Sequence, residues 1–307
     1  MSHSVQVLMS TYNGEKYVGE QIESILAQDH SDVRLLIRDD GSSDNTISIL
    51  REYTSEHENI ELINGKNLGV VDSFFQLLKT ADEVDYYAFS DQDDIWKSNK
   101  ISRAVRYLED MKGTNDEPLL YFAKQEYVDE ELATIGYSDT PRYIGLKNAL
   151  VQNVAIGCTT VINRSARDLV NRHQPEYAIM HDWWIYLTVA AMGRVIYDSE
   201  PTMKYRQHGN NTLGATASVI ERLRRRFKRF LTRNWKNDVF RPRDQAEEFL
   251  SCFRSELDTV DCQLVERFVR SKEGSLSRFF YSLKPDVQRN RLVDNLILRF
   301  MIIMNRY

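Results

Sequence analysis

Four short apolar runs alternate with segments of helical apolar spacing in the first part of this 307-residue chain. The runs cover residues 5–9, 33–37, 60–63 and 85–90. Neighbouring parallel strands need a crossover connection, which is usually a helix. The alternation therefore predicts an α/β fold, with a mainly parallel sheet flanked by helices on both faces.

The next part of the chain is more mixed. Apolar runs at 119–123, 154–162 and 194–197 are typical of strands, and residues 182–192 are apolar at helical spacing. These segments extend the predicted α/β domain.

A change of character sets a boundary near residue 217. The sequence beyond it is charged, helical in pattern and poor in glycine and proline. We therefore predict an α/β domain over residues 1–217 and a helical C-terminal region over residues 218–307.

Composition narrows the class of protein. The formal net charge of −5 argues against a general nucleic-acid binder. The three cysteines lack metal-ligand spacing and are typical of reduced thiols in a cytosolic protein. No secretory signal is visible at the start, and no stretch has the about 18 apolar residues of a spanning helix. These features predict a cytoplasmic location.

Polar residues stand where three of the predicted strands end. Because ligands bind beyond the carboxyl ends of parallel strands, these loops are expected to converge on one crevice. They contain Ser10, Thr11 and Tyr12 after the first strand, Asp39 and Asp40 after the second, and Asp91, Gln92, Asp93 and Asp94 after the fourth.

The loop after the fourth strand crowds three carboxylates into four residues. Like charges at this range repel unless a cation or several hydrogen-bond donors offset them. Mg²⁺ and Mn²⁺ suit oxygen ligands and need only one or two carboxylates beside substrate phosphates. The alternative is a solvated acidic loop before a helix that Ser98 and Asn99 open. The position at a strand end favours a cation site.

The second loop, from Asp39 to Asp44, has two interpretations. It can be a plain turn and helix cap, with Ser43 and Asp44 in the capping role. An aspartate at this place can also accept a hydrogen bond from a pyrimidine N3–H, and Tyr12 could stack on the base. The chain has neither a P-loop nor a dinucleotide fingerprint.

A third site is the run His181, Asp182, Trp183 and Trp184. The alternative is that Asp182 caps the helix that begins here. Adjacent residues on a helix point in different directions, so we expect one tryptophan to pack in the core and the other to face the cleft. An exposed ring beside a carboxylate suits sugar binding, since the carboxylate can take a hydroxyl proton.

A fourth site surrounds His208. A lone histidine is more often structural than a ligand, but this one lies in a Gly/Asn turn close to Lys204 and Arg206. His208 could complete a metal shell, and Arg206 could face a phosphate.

The four sites, in this order, resemble the family 2 glycosyltransferases with the GT-A fold. The resemblance covers about residues 4–215 and is closest to bacterial rhamnosyltransferases of cell-wall polysaccharide synthesis. It rests on Ser10-Thr11-Tyr12-Asn13, Asp39-Asp40-Gly41-Ser42-Ser43-Asp44, Asn67-Leu68-Gly69, Ser90-Asp91-Gln92-Asp93-Asp94-Ile95-Trp96, His181-Asp182-Trp183-Trp184 and Tyr205-Arg206-Gln207-His208.

The resemblance implies a role for each site. Asp182 would be the general base, Asp93 and His208 would bind Mn²⁺ or Mg²⁺, and Asp94 would support its loop. Trp183 and Trp184 are the expected acceptor contacts. The nucleotide sugar is expected to contact Ser10, Thr11, Tyr12, Asp39, Asp40, Asp91, Gln92 and Arg206.

The implied reaction is an inverting, metal-dependent transfer of L-rhamnose. The donor would be dTDP-β-L-rhamnose and the acceptor a lipid-linked saccharide. Three alternatives stay open: a transferase that uses UDP-Gal or UDP-GlcNAc, a non-catalytic GT-A scaffold, and a metal-dependent phosphohydrolase. Retention of Asp93 and Asp182 argues against a scaffold, and a phosphohydrolase would need more His and Asp ligands.

The C-terminal region contains a basic amphipathic stretch at residues 219–236. Such a helix can lie on an anionic membrane surface, which would place the chain at the cytoplasmic face of the membrane. The alternative is a helix packed on the first domain or on a homodimer partner. The apolar end at 292–304 is too short to span a membrane and could be a dimer contact or a second surface anchor.

Overall fold

The computed structural model describes residues 3–113, 116–207, 241–271 and 273–307. The strands are β1 Val5–Thr11, β2 Val33–Asp39, β3 Ile60–Asn64, β4 Tyr86–Ser90, β5 Ile95–Trp96, β6 Leu119–Ala123, β7 Glu126–Val128, β8 Thr134–Tyr137, β9 Thr160–Asn163, β10 Arg194–Asp198 and β11 Met203–Arg206. The helices are α1 Val18–Leu26, α2 Thr46–Glu56, α3 Val70–Thr80, α4 Lys100–Met111, α5 Leu146–Ala149, α6 Arg164–Arg172, α7 His181–Met192, α8 Pro242–Phe253, α9 Thr259–Arg270, α10 Ser275–Leu283 and α11 Leu292–Ile303.

The larger sheet has the strand order β10-β6-β9-β4-β1-β2-β3. Its pairings are parallel except at β9, which runs antiparallel to β4 and β6. Thr11 pairs with Asp39, and Met9 pairs with Ser90. The carboxyl ends of β1, β2 and β4 therefore reach the same edge, which confirms the predicted α/β architecture.

A smaller sheet has the order β5-β11-β7-β8. Its strand β5 follows the acidic loop directly and pairs antiparallel with β11 through Met203 to Trp96 and Lys204 to Ile95. This pairing carries Arg206, at the end of β11, back to the edge where β4 ends.

Successive apolar side chains along the strands point to opposite faces of the larger sheet and pack into a core on each face. Val7 and Met9 belong to one apolar cluster, whereas Leu8 between them belongs to another. In β4, Phe89 and Ala88 divide in the same way. Helices cover both faces, as expected for strands whose side chains are buried on either side.

The predicted strand at 154–162 is only partly correct. The structure has a loop, a 3-10 turn at Gly157–Thr159 and then β9 at Thr160–Asn163. The apolar residues of this run, such as Ala155 and Cys158, reflect burial in the core and not an extended backbone. Periodicity alone does not separate these cases in a short apolar run.

The C-terminal helices pack on the α/β domain through aromatic contacts. Trp184 of α7 lies 6.0 Å from Phe249 and 6.3 Å from Phe253 of α8, measured between ring centroids. The backbone N–H of Ile179 also donates to Oε1 of Gln245 at 2.9 Å. The residues around the predicted boundary at 217 and the basic stretch at 219–236 lie outside the described residues.

Among the helices of the described ranges, none is both long enough and apolar enough to cross a bilayer.

We predict that the α7–α8 contact contributes strongly to stability. Phe253→Ala should lower the free energy of unfolding by about 3–5 kcal/mol, because it removes a fully buried ring beside Trp184. Urea unfolding followed by fluorescence measures this change. Phe280→Ala is the matched control, since Phe280 is 65% exposed and its loss should change the free energy by less than about 0.5 kcal/mol. Equal effects of the two substitutions would contradict the packing described.

Candidate active site

The acidic loop lies between β4 and β5, and its three carboxylates differ in burial. Asp94 is buried, and its Oδ1 accepts a hydrogen bond from the backbone N–H of Arg206 at 3.3 Å. Its Oδ2 has no hydrogen-bond partner among the described residues. Potential ligand atoms of Asp91, Asp94 and Cys158 lie within 4.8 Å of one another. Asp94 thus links the acidic loop to the end of β11.

Burial and mutual repulsion change the acidity of these groups. Burial, followed by the charges of Asp93 and Asp182, raises the pKa of Asp91 to about 7. Burial, with the charges of Asp91 and Asp93, raises the pKa of Asp94 well above its usual value. A bound cation would reverse this tendency, because it favours the ionised carboxylates. The metal assignment of Asp93 stays a prediction, and Asp93 is outside the group that contains Cys158.

A buried lysine lies beside this cluster. The Nζ of Lys100 donates to the carbonyl oxygen of Cys158 at 2.8 Å and lies 4.6 Å from the centroid of the Trp96 ring. Burial lowers the pKa of Lys100 to about 8, although the neighbouring carboxyl of Asp94 opposes this effect. Burial also raises the pKa of the Cys158 thiol well above its usual value. Lys100 therefore supplies an internal positive charge next to the acidic loop.

Sequence reasoning missed Lys100 and Cys158. Lys100 shares the buried face of α4 with Ala104 and Leu108, at four-residue spacing. A lysine in an apolar helical stripe is a signal that could have been used. Cys158 had no such signal, because its nearness to Asp91 arises only from the turn before β9.

Asp182 lies in the first turn of α7, and its charge is among the causes that raise the pKa of Asp91. Its Oδ2 accepts from the backbone N–H of Gly157 at 2.8 Å, and its Oδ1 accepts from that of Trp183 at 2.7 Å. Burial nevertheless raises the pKa of Asp182 to about 6. The residue before the helix is Met180, so Asp182 is a first-turn carboxylate rather than the N-cap.

The expectation that one tryptophan faces the cleft is wrong. Trp183 and Trp184 are both buried. The Nε1–H of Trp183 donates to the carbonyl of Ala149 at 2.6 Å, and Trp184 packs on α8. The reason is that α7 is apolar on every side, as a helix enclosed by other elements is. Neither ring offers a face on which an acceptor sugar could stack.

His181 is a core residue. Its ring stacks on Phe74 with centroids 3.9 Å apart, and neither ring nitrogen has a hydrogen-bond partner among the described residues. Burial lowers the pKa of His181 to about 3, so the ring is neutral.

Gln92 joins the acidic loop to the loop after β1. Its Oε1 accepts from the backbone N–H of Tyr12 at 2.8 Å, and its Nε2 donates to the Tyr12 carbonyl at 3.1 Å. The Tyr12 side chain stays about half exposed, at 49%. The Ser10 hydroxyl forms a hydrogen bond with the Ser73 hydroxyl at 2.6 Å. The Tyr12 ring, which is predicted to stack on a nucleobase, is thus open to solvent, while hydrogen bonds to Gln92 hold its backbone.

Asp39 braces the turn that follows β2. Its carboxylate accepts from the Thr11 hydroxyl at 3.0 Å and from the backbone N–H groups of Gly41 and Ser42 at 3.0 and 2.8 Å. Gly41 has a φ of +83°, which favours glycine. Asp39 therefore holds this turn, and its contact with a nucleotide stays a prediction.

Asp40 ties the same loop to the turn before α3. It is buried, pairs with the guanidinium of Arg38 and accepts from the backbone N–H groups of Leu68 and Gly69, each at 2.8 Å. These contacts fix the carboxylate at the edge of the sheet. Its role toward a nucleobase stays a prediction.

Arg206 is held by protein acceptors. Its guanidinium donates to the carbonyls of Asp93 and Glu130 at 3.1 and 3.0 Å, pairs with Glu20 and lies 4.4 Å from the centroid of the Tyr17 ring. It therefore clamps the acidic loop from the side of β11. His208, two residues further on, lies outside the described residues.

The structure thus brings three predicted loops and Asp182 to one edge of the sheet. One side of this site presents the carboxylates of the loop after β4, which suit a divalent cation and a diphosphate. The other side presents Asp182, a carboxylate whose pKa of about 6 suits proton transfer near neutral pH.

Comparison with known proteins gives a family. The chain matches the sequence profile described as "Glycosyl transferase family 2" over residues 6–166, more than half of its length. The dTDP-rhamnosyl transferase RfbG of Shigella flexneri is 27% identical over 97% of this chain and 99% of its own. The UDP-Glc:alpha-D-GlcNAc-diphosphoundecaprenol beta-1,3-glucosyltransferase WfgD of Escherichia coli is 29% identical over 60% of this chain and 69% of its own.

The fold also matches a solved structure. S. aureus TarS 1–349 in complex with UDP-GlcNAc has a TM-score of 0.60 at 17% sequence identity, over 98% of this chain and 81% of that one. The predicted GT-A architecture, a mixed and mainly parallel sheet flanked by helices with further helices at the C-terminus, is confirmed.

Proposed function

Because the chain belongs to glycosyl transferase family 2, we propose that it is an inverting rhamnosyltransferase. It moves L-rhamnose from dTDP-β-L-rhamnose to a hydroxyl of a lipid-linked saccharide in cell-wall polysaccharide synthesis. The observation that carries the transfer is Asp182, a buried carboxylate with a pKa of about 6 whose charge acts on Asp91 of the acidic loop. A base and a diphosphate site on one edge are what a single displacement needs.

The rhamnosyl donor is supported by the relative RfbG, which is named a dTDP-rhamnosyl transferase and aligns along nearly the whole chain. The lipid-linked acceptor is supported by WfgD, whose name specifies a diphosphoundecaprenol-linked sugar. The alternative is another nucleotide sugar such as UDP-Gal or UDP-GlcNAc. A non-catalytic scaffold is disfavoured, because it has no need of a base with the raised pKa of Asp182.

The reaction is a displacement at the anomeric carbon. The acceptor oxygen attacks from the face opposite the diphosphate, and the bond from the anomeric carbon to the diphosphate oxygen breaks with its electron pair. Asp182 takes the proton of the attacking hydroxyl. One displacement inverts the centre, so a β-L-rhamnosyl donor gives an α-L-rhamnoside.

A divalent cation fits the acidic loop. Three carboxylates lie in four residues, and Oδ2 of the buried Asp94 has no hydrogen-bond partner among the described residues. Asp93, together with His208, would hold Mn²⁺ or Mg²⁺. When bound, the cation supplies positive charge that offsets the charge on the departing nucleoside diphosphate.

The nucleotide would lie along the ends of β1 and β2. The exposed ring of Tyr12 is available for stacking on a base. Thr11, Asp39, Asp40 and Gln92 hold the loops on which the nucleotide rests. The remaining proposed contacts are Ser10, Asp91 and Arg206.

The chain would work at the cytoplasmic face of the membrane, where a soluble donor meets a lipid-linked acceptor. The basic stretch at 219–236 supports contact with an anionic membrane surface. Homodimer formation is the alternative use of the C-terminal region.

Asp182→Asn should abolish transfer and leave donor binding nearly unchanged. Loss of a general base lowers the rate by roughly 10²–10⁴-fold, whereas the carboxamide keeps the shape of the side chain. Transfer kinetics and calorimetric titration with dTDP measure the two effects. Asp168→Asn, on the outer face of α6, is the control and should behave as wild type. Near-normal turnover by Asp182→Asn would show that another group is the base.

Asp93→Ala should weaken the metal-dependent part of nucleotide binding. Calorimetric titration of dTDP in the presence of Mn²⁺ is expected to show an affinity at least about tenfold lower than wild type, a loss of roughly 1.4 kcal/mol. Without Mn²⁺ the two proteins should bind dTDP equally, which controls for damage to the loop. Unchanged affinity in Mn²⁺ would remove Asp93 from the metal site.

A donor panel tests the rhamnosyl assignment. With Mn²⁺ present, dTDP-β-L-rhamnose should be consumed with a kcat/KM at least about tenfold above those of UDP-Gal and UDP-GlcNAc, because a site selective for rhamnose would stabilise the transition states of the other sugars less. Preference for a UDP-sugar would contradict the rhamnosyl assignment. Failure to consume any donor, with acceptor supplied, would favour the scaffold alternative.

A further inference from the structure

The last two helices expose an apolar face. Leu276 and Phe280 of α10 are 73% and 65% exposed, and Leu292 and Leu296 of α11 are 77% and 65% exposed. Further exposed apolar side chains on the same two helices and just after them are Phe279, Leu283, Val293, Phe300, Ile303 and Met304. We call this set the hairpin face.

Each helix of the pair has two different sides. On α11 the side toward the protein buries Leu298, Met301 and Ile302, whereas Leu292 and Leu296 recur on the outer side at four-residue spacing. The exposure is thus a feature of a folded helix and not of an unpacked end. Scattered exposed hydrophobic residues are ordinary, but two adjacent helices that each expose an apolar side are typical of an interaction surface.

Charge indicates the partner. Residues 275–307 contain six Arg or Lys and two Asp. Neither aspartate adds free negative charge at the surface, since Asp286 pairs with Arg267 at 2.9 Å and Asp294 is buried. Lys284 and Arg299 are exposed. The hairpin face is therefore apolar with a positive surround.

We propose that the hairpin face lies on an anionic lipid surface. Its leucine and phenylalanine side chains enter the boundary between headgroups and acyl chains, while Lys284 and Arg299 contact lipid phosphates. A second copy of the chain fits less well, because a two-fold contact places the same patch on both sides and brings these cations together. In the sequence, these helices come after the basic stretch at 219–236.

The segment joining α10 to α11 is fastened to the α/β domain. The backbone N–H of Gln288 donates to the carbonyl of Lys147 at 3.0 Å, and the Arg289 Nε–H donates to the carbonyl of Val151 at 3.0 Å. Six residues after Val151 in the chain is Gly157, whose backbone N–H donates a hydrogen bond to Oδ2 of Asp182. The hairpin face is thus connected, through these hydrogen bonds and residues 151–157, to the backbone N–H that positions the proposed base. This consequence alone rests on the proposed function.

The test is sedimentation of the full-length protein with vesicles, without donor or acceptor. Wild type should bind vesicles that contain phosphatidylglycerol and bind phosphatidylcholine vesicles less. The variant Leu276→Ser, Phe280→Ser, Leu292→Ser and Leu296→Ser should lose at least about tenfold in partition coefficient, because each substitution removes apolar area that enters the lipid. Lys284→Gln with Arg299→Gln should reduce the preference for the anionic vesicles.

Matched controls separate this proposal from its rivals. Val260→Ser, on α9 with Val260 at 71% exposure, should bind vesicles as wild type does. Unchanged vesicle binding by the four-serine variant would overturn the proposal. So would a wild-type dimer in analytical ultracentrifugation that the four serines dissociate while vesicle binding stays the same. Donor consumption is measured separately, so failure of the rhamnosyl assignment leaves the vesicle result standing.

Discussion

Repulsion among the three carboxylates after β4 is the constraint on which the rest of the site depends. Two cationic side chains lie beside the loop. Lys100 places a buried ammonium next to the cluster, on the carbonyl of Cys158, and Arg206 crosses to the carbonyl of Asp93 from β11. The smaller sheet therefore positions Arg206, since the pairing of β5 with β11 places its guanidinium beside the acidic loop. Both cations thus bind backbone carbonyls, one beside the acidic loop and one within it.

Convergence of the loops was predictable because it follows from strand register. Parallel strands that begin together also end together, so Thr11, Asp39 and Ser90 had to reach one edge. The candidate site could therefore be located at this edge of the sheet even though the strand order was unknown. The order itself, with β9 inserted antiparallel beside β4, was not readable, since nothing local in an apolar run records its direction.

Contacts made by buried side chains were the part that sequence patterns did not give. The two tryptophans after Asp182 look like sugar-stacking residues, yet Trp184 is enclosed by α8. That enclosure depends on a helix about sixty residues away in the chain, and no local sequence pattern predicts it. The same holds for Cys158, which reaches Asp91 only through the turn before β9. Burial by distant elements decides these roles.

The burial that removes the tryptophans from the cleft also explains why Asp182 suits proton transfer. Because α7 is buried from His181 to Val189, packing holds its first turn, and the N–H of Gly157 donates to one oxygen of the Asp182 carboxylate. The same burial raises the pKa of Asp182 to about 6, although hydrogen bonds from backbone N–H groups and from the Asn153 side chain favour the ionised form. A more exposed helix would hold the carboxylate less firmly and leave it a weaker base. Position and basicity thus come from one cause, which is the packing of α7 between the sheet and the C-terminal helices.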